Sequence, residues 1–206
     1  HYSLGQNQKA KTYLGYFLKK SPQHMGARKL YTGILMAEKD YANAIAFLEG
    51  PARARPDDPQ ALSMLASAYM ALGQHTRAVS LLRQADELSG GKSPDIAANF
   101  GLSLIGTGQE DLALIQLQKA YAEAPGRASS GMPLALLYLK KQQPKPAVQI
   151  MQRVAKNEPR NLSALNVLAV AKTQAGDLAG ARQTYEQILE VDRRFTPAAL
   201  NLARLD

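Results

Sequence analysis

The sequence predicts an all-α protein, an α-solenoid in which antiparallel helix pairs stack side by side. Two observations lead to this fold class: amphipathic segments occur in pairs joined by a glycine turn, and the pair returns about every 34 residues. The clearest pair lies between Pro94 and Pro125, with apolar residues at helical spacing on both sides of Gly108. Because neither helix of a pair can bury its apolar face alone, each pair needs neighbours of its own kind.

The second helices of the pairs carry two matching rows of residues. An alanine recurs at spacings of 34, 34, 35, 34 and 34 residues, at Ala10, Ala44, Ala78, Ala113, Ala147 and Ala181. Large apolar residues follow it at Leu14, Leu48, Leu82, Leu117, Met151 and Tyr185. The first helices place a large residue before a small one, as in Leu65 before Ala66 and Leu134 before Ala135. Several rows in one register indicate a true repeat.

The turns keep the same period. Helix ends are predicted at Gly5, Gly73, Gly108 and Gly176, because glycine adopts the positive φ that a residue just past a helix often needs. In two repeats Lys39 and Gln142 replace that glycine.

A period of 34 residues with this order of small, large, small and proline resembles the tetratricopeptide repeat family, although the chain lacks the family's tryptophan. The resemblance implies a right-handed solenoid whose first helices line the concave side. We expect a single domain over residues 1–206, cut from a longer array. Its predicted parts are a half repeat at 1–24, full repeats at 25–58, 59–92, 94–127, 128–161 and 162–195, and a half repeat at 196–206.

Prolines mark the expected departures from this pattern. Pro51 falls inside a second helix, where it predicts a kink or break because proline removes a backbone hydrogen bond. Pro133 predicts that the first helix of its repeat starts late, near Ser130 or Met132. Pro144 is expected to open the following second helix.

Motifs that carry chemistry are missing from the sequence. The chain has no cysteine, and His1, His24 and His75 are scattered without metal-ligand spacing. The Gly-Lys-Ser at 91–93 lacks the earlier glycine and the preceding strand of a phosphate-binding loop, so we interpret it as a turn between repeats. We therefore expect no enzyme, no metal and no cofactor.

The predicted function is a non-catalytic scaffold that binds a protein or peptide in an apolar groove lined by the first helices. The candidate groove residues are Lys29, Met36, Ser67, Met70, Leu102, Ile105, Met132, Leu136, Leu139, Asn166 and Val170. Several are methionines, whose flexible side chains adapt to varied partners. Some relatives grip a partner's carboxylate with lysine and asparagine; here Lys29 matches, but Gly33 stands where the asparagine is expected.

Charge leaves a second function open. Residues 1–37 carry six bases and no acid, and residues 128–161 carry six bases and one acid. Such basic segments suit an RNA-binding or polyanion-binding repeat protein, but a solvated basic face is the commoner explanation. Nucleic acid is therefore expected not to be the partner.

The chain's alanine-rich, arginine-bearing style resembles bacterial repeat lipoproteins of exosortase and exopolysaccharide systems. That resemblance implies a periplasmic or outer-membrane-anchored parent, with its membrane anchor outside this fragment. No apolar run reaches the roughly 20 residues that span a bilayer. Both ends are expected to leave apolar residues partly uncovered: Tyr13, Leu14, Phe17, Leu18, Leu200, Leu202 and Leu205.

Overall fold

The computed structural model describes residues 2–54 and 56–205, with side chains from Asn7 onward. Over these residues the chain forms twelve α-helices and no strand, which confirms the all-α prediction. The second helices of the pairs are α1 Tyr2–Lys20, α3 Tyr41–Ala54, α5 His75–Leu88, α7 Glu110–Glu123, α9 Pro144–Asn157 and α11 Leu178–Val191. The first helices are α2 Met25–Ala37, α4 Pro59–Ala71, α6 Pro94–Gly106, α8 Ala128–Lys140, α10 Leu162–Gln174 and α12 Thr196–Ala203.

The helices fall into two compact units, His1–Gly108 with α1 to α6 and Gln109–Asp206 with α7 to α12. Within each unit every helix packs against the next one in the chain. First helices also contact one another: α2 with α4 and α4 with α6 in the first unit, and α8 with α10 and α10 with α12 in the second. This nearest-neighbour packing is that of a tetratricopeptide-like solenoid. The single domain remains a prediction.

The two rows of the second helices lie in the core of each unit. The alanines from Ala44 onward are fully buried, and so are the large residues that follow them: Leu48, Leu82, Leu117, Met151 and Tyr185. A small residue lets the helices approach closely, and the large residue fills the space beside it. The spacing of these rows therefore reflects core packing.

The turns confirm the positive-φ positions of the internal repeats. Gly73, Gly108 and Gly176 have φ values of 71°, 77° and 83°. Lys39 and Gln142 adopt the same conformation, with φ of 61° and 57°, and no other described non-glycine residue has a positive φ. The predicted helix end at Gly5 is wrong, because α1 runs through it from Tyr2 to Lys20.

Helix α3 does not break at Pro51, since it continues to Ala54. A kink at this proline stays a prediction. Proline at position 51 cannot donate to the carbonyl of Phe47 four residues earlier. Arg28 of α2 supplies the missing donor: its Nη1 lies 2.7 Å from the Phe47 oxygen, and its guanidinium lies over the Phe47 ring. A side chain from the neighbouring helix therefore replaces the lost backbone hydrogen bond.

The predicted late start of α8 is wrong as well, because this helix begins at Ala128 with Pro133 inside it. Its first N–H, that of Ala128, donates to Glu158 Oε1 at 2.7 Å, and the Ser130 hydroxyl donates to the Ala124 carbonyl at 2.8 Å. Pro133 cannot donate to the carbonyl of Ser129 four residues earlier, and Ser129 is an exposed residue. The expected start of α9 at Pro144 is confirmed.

Candidate functional site: the first-helix face

The eleven candidate groove residues, hereafter the first-helix face, occupy repeated positions on the first helices. In the first unit they belong to α2, α4 and α6, which pack side by side. Leu102 is 37% exposed, and Met36, Met70 and Ile105 are partly exposed. Ser67 accepts a hydrogen bond of 3.4 Å from the side-chain amide of Asn99, which joins α4 to α6. This part of the face is therefore mainly apolar and accessible.

Lys29 occupies the only strongly polar position of the face in the first unit. Its ammonium group donates to Asp58 Oδ2 at 2.9 Å and to Gln60 Oε1 at 2.8 Å. Partial burial raises the pKa of Asp58, but the hydrogen bonds from the Ala61 N–H and the Lys29 ammonium lower it by more. The pKa of Asp58 therefore lies below its ordinary value. Lys29 is thus paired within the protein, and a carboxylate ligand would have to compete with Asp58.

In the second unit the face belongs to α8 and α10. Leu136 is 49% exposed, Met132 and Val170 are partly exposed, and Leu139 is buried. The side-chain oxygen of Asn166 is buried and has no hydrogen-bond partner within the described part of the chain. The surface offered here is therefore Leu136 with its apolar neighbours, next to one amide group with an unused acceptor.

Three of the six basic side chains of repeat 128–161 lie on a second helix. Lys145, Arg153 and Lys156 are exposed residues of α9, a second helix. Two further bases on α8 and its turn are already paired, Lys140 with Glu110 at 2.5 Å and Lys141 with Asp111 at 2.8 Å. These three exposed charges, which could attract a polyanion, are thus on a second helix and not on the first helices that carry the candidate groove residues.

A crevice of about 440 Å³ lies between α3 and α5 on the second-helix side of the first unit. The Tyr69 hydroxyl donates to Glu49 Oε1 at 2.9 Å, and Arg53 contacts the same oxygen at 2.7 Å. Burial, together with the nearby Glu49 carboxylate, raises the pKa of the Tyr69 hydroxyl. In this crevice Tyr69, Glu49 and Arg53 hydrogen-bond to one another, which is typical of a structural contact between repeats.

The described residues contain neither a group that could hold a metal ion nor a helix that could span a membrane. No three His, Asp or Glu side chains among them come close enough to hold a metal ion. None of the helices described is long and apolar enough to cross a bilayer.

The helix pairs and their period match a known family. Profiles described as tetratricopeptide repeat match residues 1–68, 35–98 and 132–199, which together cover more than half of the chain. The chain belongs to the tetratricopeptide repeat family. A search of curated proteins found no match to this sequence.

Solved structures of other tetratricopeptide proteins share the fold at low sequence identity. YrrB, described as having an unusual peptide-binding site, is 14% identical with a TM-score of 0.68, over 91% of this chain and 96% of its own. A chain of the Cut9–Hcn1 hetero-tetramer of APC/C is 16% identical with a TM-score of 0.80, over 98% of this chain and 40% of its own. Human IFIT1, solved as a dimer with m7Gppp-AAAA, is 19% identical with a TM-score of 0.68, over 99% of this chain and 52% of its own. At these identities the likeness shows the fold alone.

Sequence reasoning missed the residues that α2 adds at the N-terminal end of the first unit. Leu30 and Ile34 of α2 line an open cavity together with Leu14 and Phe17 of α1. The sequence did indicate exposed apolar residues on α1, and Tyr13 and Phe17 are exposed, but Leu18 is buried. The signal that could have found this cavity is Leu30, a large apolar residue that lies outside the repeated large-then-small row of the first helices.

Proposed function

We propose that this protein is a non-catalytic scaffold that binds a peptide or a protein on its first-helix face. The observation that carries the proposal is the exposure of Leu102 and Leu136, two large apolar side chains at the same repeat position of α6 and α8. Exposed leucines at a repeated position offer apolar area that a partner can cover.

The manner of binding follows from the surface chemistry. An amphipathic or extended peptide would bury apolar side chains against Leu102, Ile105 and Leu136, and the methionines would adjust to its shape. The unused acceptor of Asn166 would gain a hydrogen bond from a donor on the ligand after rotation of its amide group. Family membership supports a protein partner, and YrrB offers a precedent for a peptide-binding site on this fold.

The biological setting is a second part of the proposal. The alanine-rich repeat style supports a place in bacterial exopolysaccharide or protein-sorting assembly, with the parent facing the periplasm. Identification of the genes beside the parent gene would test this setting independently of any binding measurement.

Peptides selected against the intact chain from a random display library would test the binding face. Leu102→Glu and Leu136→Glu would be made separately. Each should weaken the binding of a selected peptide that contacts the same unit by about tenfold or more, because each places a charge where apolar area is buried. Leu112→Glu is the matched control, since Leu112 is 50% exposed but lies on the second helix α7. Circular dichroism would verify that each variant stays folded.

The same measurements address the polyanion alternative. Reversing Lys145, Arg153 and Lys156 to glutamate should leave a peptide complex almost unchanged. A ligand whose binding survives the leucine changes, but is lost with these charge reversals and falls steeply with salt, would overturn the scaffold proposal in favour of a nucleic acid or another polyanion.

A further inference from the structure

Several first helices of this protein are capped at their N-terminus by a side chain at one repeated position. In three of them an oxygen of that side chain accepts a hydrogen bond from the backbone N–H three residues later, in the pairs Asp58–Ala61, Ser93–Ile96 and Asn161–Ala164. His24 stands at the same position before α2, and its Nδ1 accepts a hydrogen bond of 3.1 Å from the N–H of Ala27. Such a contact satisfies an N–H that has no partner inside the helix. His24 is therefore the N-cap of α2.

His24 differs from the other three caps because protonation removes its acceptor. A neutral imidazole that accepts at Nδ1 carries its hydrogen on Nε2, and a proton added at Nδ1 turns that atom into a donor. Two donors would then face each other at the N-terminus of α2, where the helix dipole also disfavours a positive charge. Imidazole ordinarily changes its charge between pH 5 and 8, whereas the hydroxyl of Ser93 and the amide of Asn161 do not titrate in that range.

The imidazole of His24 is held against the first turn of α2 from two sides. From α1 the ring of Phe17 meets it at nearly a right angle, with the ring centroids 5.1 Å apart. From α2 itself Gly26 leaves room for it, since a Cβ at Gly26 would lie 3.3 Å from Cε1 of His24. The ring is thus placed to cap the turn as long as its Nδ1 can accept a hydrogen bond.

The charged groups around this turn offer a protonated His24 little compensation. Within α2, Arg28 donates through Nε to the Pro22 carbonyl at 2.5 Å, and Lys29 lines the same cavity as His24. Helix α1 ends in two lysines, and residues 1–37 contain no acid. From the start of α4, the carboxylate of Asp58 is already paired with Lys29 at 2.9 Å. A proton on His24 would therefore add a positive charge to a turn that is already basic.

We propose that His24 is a pH-sensitive cap, which holds the first turn of α2 at neutral pH and releases it when the imidazole is protonated. The cap stabilises the turn while the imidazole is neutral, and this stabilisation is lost as the pH falls and the ring takes up a proton. Helix α2 carries Lys29 and Met36, so the switch acts on the helix at the N-terminal end of the first-helix face. It is a property of the helix and does not require a bound peptide.

Amide hydrogen exchange followed by NMR on the 206-residue chain tests the switch, because it reports on each N–H separately. The protection factor removes the intrinsic pH dependence of exchange. For the Ala27 N–H we expect it to fall about fivefold between pH 7.5 and pH 5, which is the usual effect of losing an N-cap side chain. The N–H groups of Ile96 and Ala164 are controls within the same molecule, and their protection factors should stay constant because their caps do not titrate.

Two substitutions of His24 give the two limits of this behaviour. His24→Asn supplies the acceptor that caps α10 and should keep the Ala27 N–H protected at both pH values. His24→Ala removes the acceptor and should show, at both pH values, the low protection that the wild type has at pH 5. Equal protection of Ala27 in the wild type at pH 7.5 and pH 5, or an equal fall at Ile96 and Ala164, would overturn the proposal. A His24→Ala variant that protects Ala27 as well as the wild type does at pH 7.5 would also overturn it, as would a His24→Asn variant with the wild-type pH dependence.

Discussion

Single residues of this protein show how far a repeat position dictates backbone conformation. The turn after each internal first helix requires a positive φ, whether the residue is glycine or, at Lys39 and Gln142, a residue with a Cβ. A left-handed conformation costs a non-glycine residue about 1 kcal/mol. The helices on either side therefore hold the backbone of Lys39 and Gln142 in this conformation.

Replacing Lys39 or Gln142 with glycine should therefore stabilise the protein. We expect a gain of about 0.5–1 kcal/mol in the free energy of unfolding for each, because relief of strain exceeds the added entropy of the unfolded chain. Urea denaturation would measure it. The reverse change, Gly73→Lys, should cost a similar amount, since a Cβ at Gly73 meets nothing within 4 Å and only strain is added. Stabilisation by Gly73→Lys would contradict the interpretation.

Glycine has a different purpose at Gly106, in the last turn of α6. A Cβ there would overlap the imidazole of His75, the first residue of α5. Gly106→Ala should thus destabilise by about 1–3 kcal/mol through overpacking. Gly50→Ala in α3 is the matched control: nothing lies within 4 Å of its Cβ, so alanine should stabilise by about 0.5–1 kcal/mol. Thermal denaturation of both variants would decide, and equal effects would refute the steric argument.

At the scale of helices, two elements depend on side chains from their neighbours. Helix α3 continues past Pro51, and Arg28 donates to the carbonyl of Phe47, which the proline leaves without its backbone donor. A double-mutant cycle tests this. Arg28→Met should destabilise the wild type by about 1–2 kcal/mol, but by less in the Pro51→Ala background, where the N–H of residue 51 can reach that carbonyl again. Urea denaturation of all four proteins would give the coupling energy, and a coupling near zero would refute the proposed replacement.

Helix α8 depends on Glu158 at its N-terminus. The Ala128 N–H and the Asn161 amide donate to this carboxylate and hold its pKa below the ordinary value of 4.5. A carboxylate with a lowered pKa stabilises the folded state fully above its unfolded pKa, and this stabilisation is lost as the pH falls through the folded pKa. Glu158→Gln should thus be less stable than wild type at pH 7, with a difference that shrinks below about pH 4.5. Denaturation between pH 3 and 7 would measure it, with Glu123→Gln as control, and a difference independent of pH would contradict the prediction.

At the scale of the whole molecule, stability should vary along each unit. Each helix packs only against near neighbours, so the helices at an end of an array have fewer partners. We expect backbone amides of α1 and α12 to exchange with deuterium fastest, and those of α4, α5, α10 and α11 slowest. Hydrogen–deuterium exchange followed by mass spectrometry would show this order. Uniform protection along the chain would instead indicate a single cooperative unit.

The fold alone does not choose the ligand at this scale. Its solved neighbours include a protein with a peptide-binding site and one solved with m7Gppp-AAAA. The choice must come from side chains on the surface. We propose that here those are the exposed leucines of the first helices, Leu102 and Leu136.

The amino-acid sequence by itself determined the helix pairs, their period, the buried rows and most turn positions. It could do so because these features depend on spacing within a repeat, and the same local pattern returns six times. It also placed Leu102 and Leu136 on a common row of the first helices, although only the structure showed that they are exposed while Leu139 is buried.

Only the tertiary structure decided the outcome at the two irregular prolines and at the N-terminal cavity. Arg28 reaches a carbonyl 19 residues away, and Glu158 receives an N–H from a residue 30 positions earlier. Local propensity treats Pro51 and Pro133 as helix breakers, because it does not include donors and acceptors supplied by a neighbouring helix. The cavity likewise exists only because α1 and α2 pack together and leave Leu30 and Phe17 open beside each other.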